Sequence, residues 1–249
     1  MSDASHFTVR SVAHLVRPAG LTASTVDALA TGIAQAPGPS LFYHAVQHQL
    51  RLPDADEPPP DDFSAWLGGV LQLRETAERC AFMVQTRNRS EAELREALLD
   101  LMRSIPGRSR HESPEGGEFV FLIADSVTVP VSPPLEDVNA VIAALLDAGP
   151  AAWFLHLIEE PWQRGDEGSL IGWLRARGEG RLSDLLAELA HTGLPIEAAR
   201  QRLARQLRHR QLGRRIAEAA GAPERERRVA AREAVSGIVR RLSPRSRRP

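Results

Sequence analysis

Lysine is absent from the chain, and cysteine occurs once. With a single thiol, Cys80, no internal disulfide can close and no cysteine-built zinc cage can form, which fits a reducing compartment. Long hydrophobic runs are lacking too. The opening stretch MSDASHFTVR has no apolar signal segment, and no run reaches the roughly 20 residues of a membrane-spanning helix. There is no glycine-rich phosphate loop, no nucleophile elbow and no His-Glu-x-x-His pair. These absences point to a soluble, cytoplasmic chain without a membrane span. They also leave it without the residues of P-loop, α/β-hydrolase or zincin chemistry, and no cofactor or metal is expected.

What is present is arginine, unevenly placed. Of 31 basic and 32 acidic residues, 16 arginines and four glutamates lie between Arg200 and Pro249, leaving 15 arginines and 28 acids for the rest. The tail is therefore basic and the body acidic. Arginine without lysine is also what a GC-rich genome produces, so the choice of cation carries little functional information. With 43% apolar residues in 249, the chain has material for one large core or two small ones.

The chain repeats itself. Laying Phe7–Val46 over Phe119–Ile158 at a constant offset of 112 aligns Phe7/Phe119, Pro18/Pro130, Val26/Val138, Ala28/Ala140, Ala36/Ala148, Phe42/Phe154 and His44/His156. The stripe Val26-Leu29-Ile33 recurs as Val138-Val141-Leu145, at helical spacings of three and four. After an acidic, proline-rich insertion in the first copy, Trp66 and Leu67 align with Trp173 and Leu174 at offset 107. The connector Arg103–Gly117 has the Pro, Gly and Ser content of a linker. The expected organisation is a first unit over 7–105, a diverged second unit over 118–210, and an arginine-rich helix and tail over 211–249. The expected fold class is mainly α with short β-hairpin elements, as two tandem pseudo-symmetric helical units plus a C-terminal basic helix. Each unit opens with an alternating segment, and FVFLIADSVTVPV has the composition of a hairpin turning at Ala124-Asp125-Ser126. Thr25 and Ser90 suit helix N-caps, with Ser90 to Glu93 at capping-box spacing, and Asp61 or Asp62 suits the cap of a helix presenting Phe63, Trp66 and Leu67 inward.

The stretch PSLFYHAVQHQLRLPDADEPPPDDFSAWL resembles an uncharacterised prokaryotic family known only as a domain of unknown function. In that family a Ser-x-x-x-His helix precedes an acidic-Asp-Phe-x-x-Trp segment. The resemblance covers residues 7 to 105. The second copy keeps Phe154, His156 and Trp173 but has Ser169-Leu170 in place of Asp62-Phe63. The family has no established activity, so the resemblance implies a domain and no chemistry.

The candidate functional or structural cluster is His44, His48, Asp62 and Trp66, with His156, Glu160 and Trp173 in the second copy. His44/His48 and His156/Glu160 are each spaced one helical turn apart, as metal ligands on a helix require. No third and fourth ligands follow at recognisable spacing. Phe42 and Val46, and likewise Phe154 and Ile158, flank the histidines with apolar side chains, which favours packed rings bonded to a carbonyl or carboxylate. Cys80, in ETAERCAFMV, reads as a buried inert thiol. Anion-binding candidates are Arg214, Arg215, Arg227, Arg228, Arg232, Arg240 and Arg241. They sit beside an apolar face through Val235, Ile238 and Leu242 that suits docking on the acidic body. The segment has no aromatic residue for base stacking. The expected function is a non-enzymatic protein-interaction or accessory module whose partner is another protein or a second copy. The alternatives are a metal-dependent enzyme using the His44/His48 helix, or a nucleic-acid-associated protein acting through the arginine-rich end.

Overall fold

The computed structural model describes residues 5–51, 61–85, 90–107, 110–165, 168–191 and 194–221, with side chains in the last helix described as far as Arg208. Two compact units emerge, Met1–Arg200 and Gln201–Pro249. Within the first, a two-stranded antiparallel ribbon joins strand β1 (Arg10–Ala23) to strand β2 (Phe119–Pro130). Mainly helical structure surrounds it, and among the described residues no helix is long and apolar enough to cross a membrane.

The first helical group comprises α1 (Val26–Gln35), α2 (Gly38–Ala45), α3 (His48–Arg51), α4 (Asp62–Gly69), α5 (Arg74–Gln85) and α6 (Glu91–Arg103). Thr25 caps α1 by accepting from Ala28 N, and Val26, Leu29, Gly32 and Ile33 face inward as the stripe predicts. Ser90 and Glu93 form a reciprocal capping box on α6, burying Leu94, Leu98, Leu101 and Met102 on the helix's inner face. Of the two aspartates at the start of α4, Asp61 is the cap and Asp62 the first helical residue. Phe63, Trp66 and Leu67 are buried behind it.

The second group comprises α7 (Val138–Asp147), α8 (Pro150–Phe154), α9 (Glu160–Arg164), α10 (Leu170–Ala176), α11 (Gly180–His191) and α12 (Ile196–Gly221). A π-helical turn, Leu155–Glu159, joins α8 to α9 without a break. In the first group the corresponding stretch does break: α2 stops at Ala45, Val46 leaves helical geometry, and α3 starts at His48. His44 and His48 therefore lie on two different helices, not one turn apart on a single one. Ser169 caps α10, where Trp173 and Leu174 are buried. The second compact unit is described through the helical backbone from Gln201 to Gly221, with Arg202, Arg205 and Arg208 exposed along it. Arg214 and Arg215 fall on that helix without described side chains. Arg227, Arg228, Arg232, Arg240 and Arg241 lie outside the described residues.

The ribbon corrects one expectation. Residues 124–126 make no turn; β2 runs straight through them and pairs with β1 in the register Arg10↔Pro130 to Pro18↔Leu122. The β-branched residues Val127, Thr128 and Val129 continue the extended segment, and its partner strand comes from about a hundred residues upstream. A register shift between Pro18 and Thr22 accommodates Gly20, whose φ of 76° suits a bulge that other residues resist.

Candidate functional site

Each of the two motif histidines holds one strand of the ribbon. His44, on α2, is 2% exposed. Its Nε2 accepts a hydrogen bond from the backbone N–H of Leu122, on β2, at 2.8 Å. Its Nδ1 lies 2.8 Å from Asp62 Oδ2. His156, on the π-turn, is fully buried. Its Nε2 accepts from Arg10 N, on β1, at 2.9 Å, and its Nδ1 lies 2.7 Å from Glu160 Oε2.

A backbone amide can only donate, so both Nε2 atoms are unprotonated. Nδ1 then carries the proton and donates it to the carboxylate, which makes each ring neutral in a single tautomer. Both nitrogens of both rings are occupied within the fold. Among the described residues no group of three or more His, Cys, Asp or Glu side chains converges as a metal site would require.

The carboxylates are held in turn by arginine. Arg51 reaches both oxygens of Asp62, at 2.6 and 2.9 Å, and Arg10 bonds Glu160. Aromatic rings enclose each histidine: Phe119 and Phe63 lie 4.7 and 5.6 Å from His44, and Phe7 lies 5.1 Å from His156. Phe119 also meets Trp66, and Phe7 meets Trp173. The two tryptophans differ in their polar atom. Trp66 Nε1 donates to Gly117 O at 2.7 Å, whereas Trp173 Nε1 is buried without a partner among the described residues.

Burial drives the electrostatics. Desolvation pushes His44 below its ordinary value, against the opposing pull of Asp62. Burial would raise Asp62, but the bonds from His44 and Arg51 outweigh it and hold the carboxyl down to about 2. Asp61, buried under its own cap, is shifted up by desolvation despite two bonds from Ser64. The Cys80 thiol is buried and pushed up by desolvation, with the nearby Asp61 charge adding to the shift. Such a thiol is a poor nucleophile.

Several participants were missed in the sequence. At the middle of the ribbon His14 pairs with Ser126, and both side chains bond Glu159, which is 1% exposed. Gln163 also donates to Glu159. Glu159 sits on the π-turn, a helix irregularity often found at functional positions. The strand residues Arg10 and Leu122 were missed as well, although the aligned register held the signal: they lie 112 residues apart, as do His44 and His156. Of the residues expected to cluster, His44 and Trp66 meet at Phe119 with Asp62 bonded to His44, and His156 and Trp173 meet at Phe7 with Glu160 bonded to His156. His48 is buried on α3.

These features define a class of protein: mainly helical, organised round a two-stranded ribbon whose strands are clamped by neutral, buried histidines. The chain belongs to the family of unknown function DUF5752, whose profile matches residues 4–208. The match runs well beyond residues 7–105, the stretch whose motifs suggested it. The solved structure of OrfY from Thermoproteus tenax overlays with a TM-score of 0.67 at 19% sequence identity, over 82% of this chain and 95% of that one. At that identity the likeness shows the fold alone. No curated protein sequence matches the chain.

Proposed function

We propose that the protein is a non-enzymatic interaction module that binds another protein through its ribbon. The observation that carries this reading is that both motif histidines, with Asp62 and Glu160, are fully engaged in holding strands. A general base or ligand needs a free lone pair facing a substrate. Here the lone pairs face backbone amides. Apart from Phe82 on α5, the exposed large apolar side chains among the described residues lie on the ribbon or, at Val131, just past its end, where a partner gains most from covering them. The test uses the full chain as bait beside a Val129→Lys variant. A specific protein retained by the first and lost by the second is expected; retention of nothing, or equal retention by both, would sink the proposal.

We further propose that the body is a duplicated unit whose two copies have exchanged strands. Three observations support this. The clamps are reciprocal: His44 of the first copy holds Leu122 of the second, and His156 holds Arg10. Phe119 and Phe7 pack the opposite copy's histidine and tryptophan. Phe42 and Phe154, equivalent in the repeat, meet each other at 5.8 Å, as residues near a two-fold axis do. Cleavage of the full chain at a protease site placed in the 106–117 connector should leave two fragments that migrate together until denatured. Fragments that separate while each stays folded would contradict the exchange. The buried, unpaired Cys80 fits a cytoplasmic location.

A further inference from the structure

The two edges of the ribbon are not alike. Which backbone groups point outward follows from the ends of the ladder. Pro130 and Pro18 have no N–H, and the amides of their register partners Arg10 and Leu122 donate to His156 and His44, away from the ladder. Both pairs are therefore non-hydrogen-bonded, and in an antiparallel ladder such pairs recur at every second residue. Counting in twos from Pro130, Thr128 and Ser126 each turn one N–H and one C=O outward from β2. Outside the ladder no hydrogen bond among the described residues reaches those groups, since Ser126 bonds Glu159 through its hydroxyl. Resting on the interaction reading, we propose that this outer edge of β2, from Ser126 to Pro130, receives an extended segment of the partner protein as a third strand, with β-branched apolar residues at alternate positions.

The contrast between the edges singles out β2. Free edges are blunted in natural sheets by charge, proline and bulges. On β1, where Val16 turns its backbone outward, all three follow at once: Arg17, Pro18, and the register shift that contains Gly20. The β2 edge has only Pro130, at its last position. Residues 125–131 are all exposed, with Val127 at 46% and Val129 at 55%. At its other end the edge closes, because His44 takes the Leu122 amide and Ala124 is buried. The open part is thus a short slot of fixed length.

The slot also specifies its occupant. Unpaired N–H and C=O groups at strand spacing match another extended backbone, the recognition mode of strand addition. A helix has its own amides paired along its length and cannot answer them. Nucleic acid and anionic lipid find no free cation there, since Arg17, across the ribbon, is paired with Asp125 at 2.7 Å. Side chains alternate along a strand, so every second residue of the added segment lies beside Val127 and Val129, on the face away from Glu159. Apolar β-branched side chains pair best with valines there.

A display library of random dodecapeptides, selected on the full chain, tests this. Enriched sequences should carry Val, Ile or Thr at alternate positions, and as synthetic peptides bind with Kd on the order of 10–100 μM. Thr128→Pro removes an outward N–H without touching a ladder bond, because Thr128 faces Val12 in a non-hydrogen-bonded pair. It should weaken binding about tenfold or more, whereas Val16→Pro, the same change on the β1 edge, should leave it unchanged. Methylating the peptide nitrogen that donates to β2 should abolish binding, and methylating the next nitrogen should not; this arm leaves the protein untouched. Enrichment of apolar residues at helical spacing, indifference to Thr128→Pro and to methylation, or equal loss with Val16→Pro would overturn the proposal. So would a dimer of the free chain in sedimentation equilibrium that Thr128→Pro makes monomeric, which would put a second copy on the edge. If the full-chain bait retains a partner in a Val129-dependent way that Thr128→Pro does not affect, the edge proposal falls and the interaction reading stands. If neither bait nor library yields a binder, both fall.

Discussion

Replacing His44 tests the clamp most directly, because the ring does two separable things. His44→Ala removes an imidazole packed within 6 Å of the Phe63, Phe119 and Phe121 rings. That cavity should cost about 2 kcal/mol, below the range for a buried phenyl ring. It also orphans the Leu122 amide inside the fold, adding about 1–3 kcal/mol. Asp62 keeps both Arg51 bonds, so no bare buried charge is left. The expected total is about 3–5 kcal/mol. His44→Gln offers an amide oxygen to Leu122 and should cost about 1–2 kcal/mol.

The pH dependence separates clamping from mere filling. His44 is depressed in the fold below 6.5, so below that pH the unfolded chain takes up a proton that the native ring resists. The stability it contributes is complete above 6.5 and declines as pH falls toward the folded value. Asp62, held at about 2 against 3.8 unfolded, contributes above 3.8 and is lost between 3.8 and 2, by about 2 kcal/mol at most since its side chain is one-fifth exposed. Urea unfolding of wild type and His44→Gln from pH 7 to 5 is the assay. The gap between the two proteins should narrow as pH drops, because only the wild type loses the histidine contribution. A gap that stays constant or widens would refute the neutral-clamp argument, and a cost under about 1 kcal/mol for His44→Ala would refute the packing argument.

Gly32→Ala should destabilise, although alanine is the better helix former by about 1 kcal/mol. A methyl at Gly32 would overlap the Phe121 ring, so a lowered urea midpoint is expected and a raised one would show that the ring yields. The two tryptophans should respond unequally to phenylalanine. Trp66→Phe forfeits the bond to Gly117 O and should cost about 1–2 kcal/mol more than Trp173→Phe, whose indole N–H is buried without a partner among the described residues. Equal losses in thermal unfolding would contradict that asymmetry.

Local chemistry was legible wherever it acts over a few residues. The Thr25 cap, the Ser90–Glu93 box, an aspartate cap at Asp61 or Asp62 and the inward stripe of α1 follow from side chains three or four positions apart, and so does the burial of Cys80, His44 and His156 among apolar neighbours. The offset of 112 residues was legible too: it relates Arg10 to Leu122 as it relates His44 to His156.

What only the tertiary structure decided is which distant segments meet. Strand propensity marks 119–130 as extended but carries no information about its partner, since the energy of pairing lies in side chains and amides more than a hundred residues away. The turn expected at residues 124–126 was wrong for that reason: β1 supplied the hydrogen bonds that a local hairpin would have made. The same holds for the histidines. Nothing within their helices says that their Nε2 atoms accept from Leu122 and Arg10; that follows from the placement of the strands. Glu159 is the clearest case. In LHLIEEPW, Pro161 lacks the N–H of a regular helix, but nothing there says that the segment adopts a π-turn with the Glu159 carboxylate bonded to His14 and Ser126. A carboxylate buried this deeply needs its bonding partners brought to it by the fold, and the chain alone does not name them.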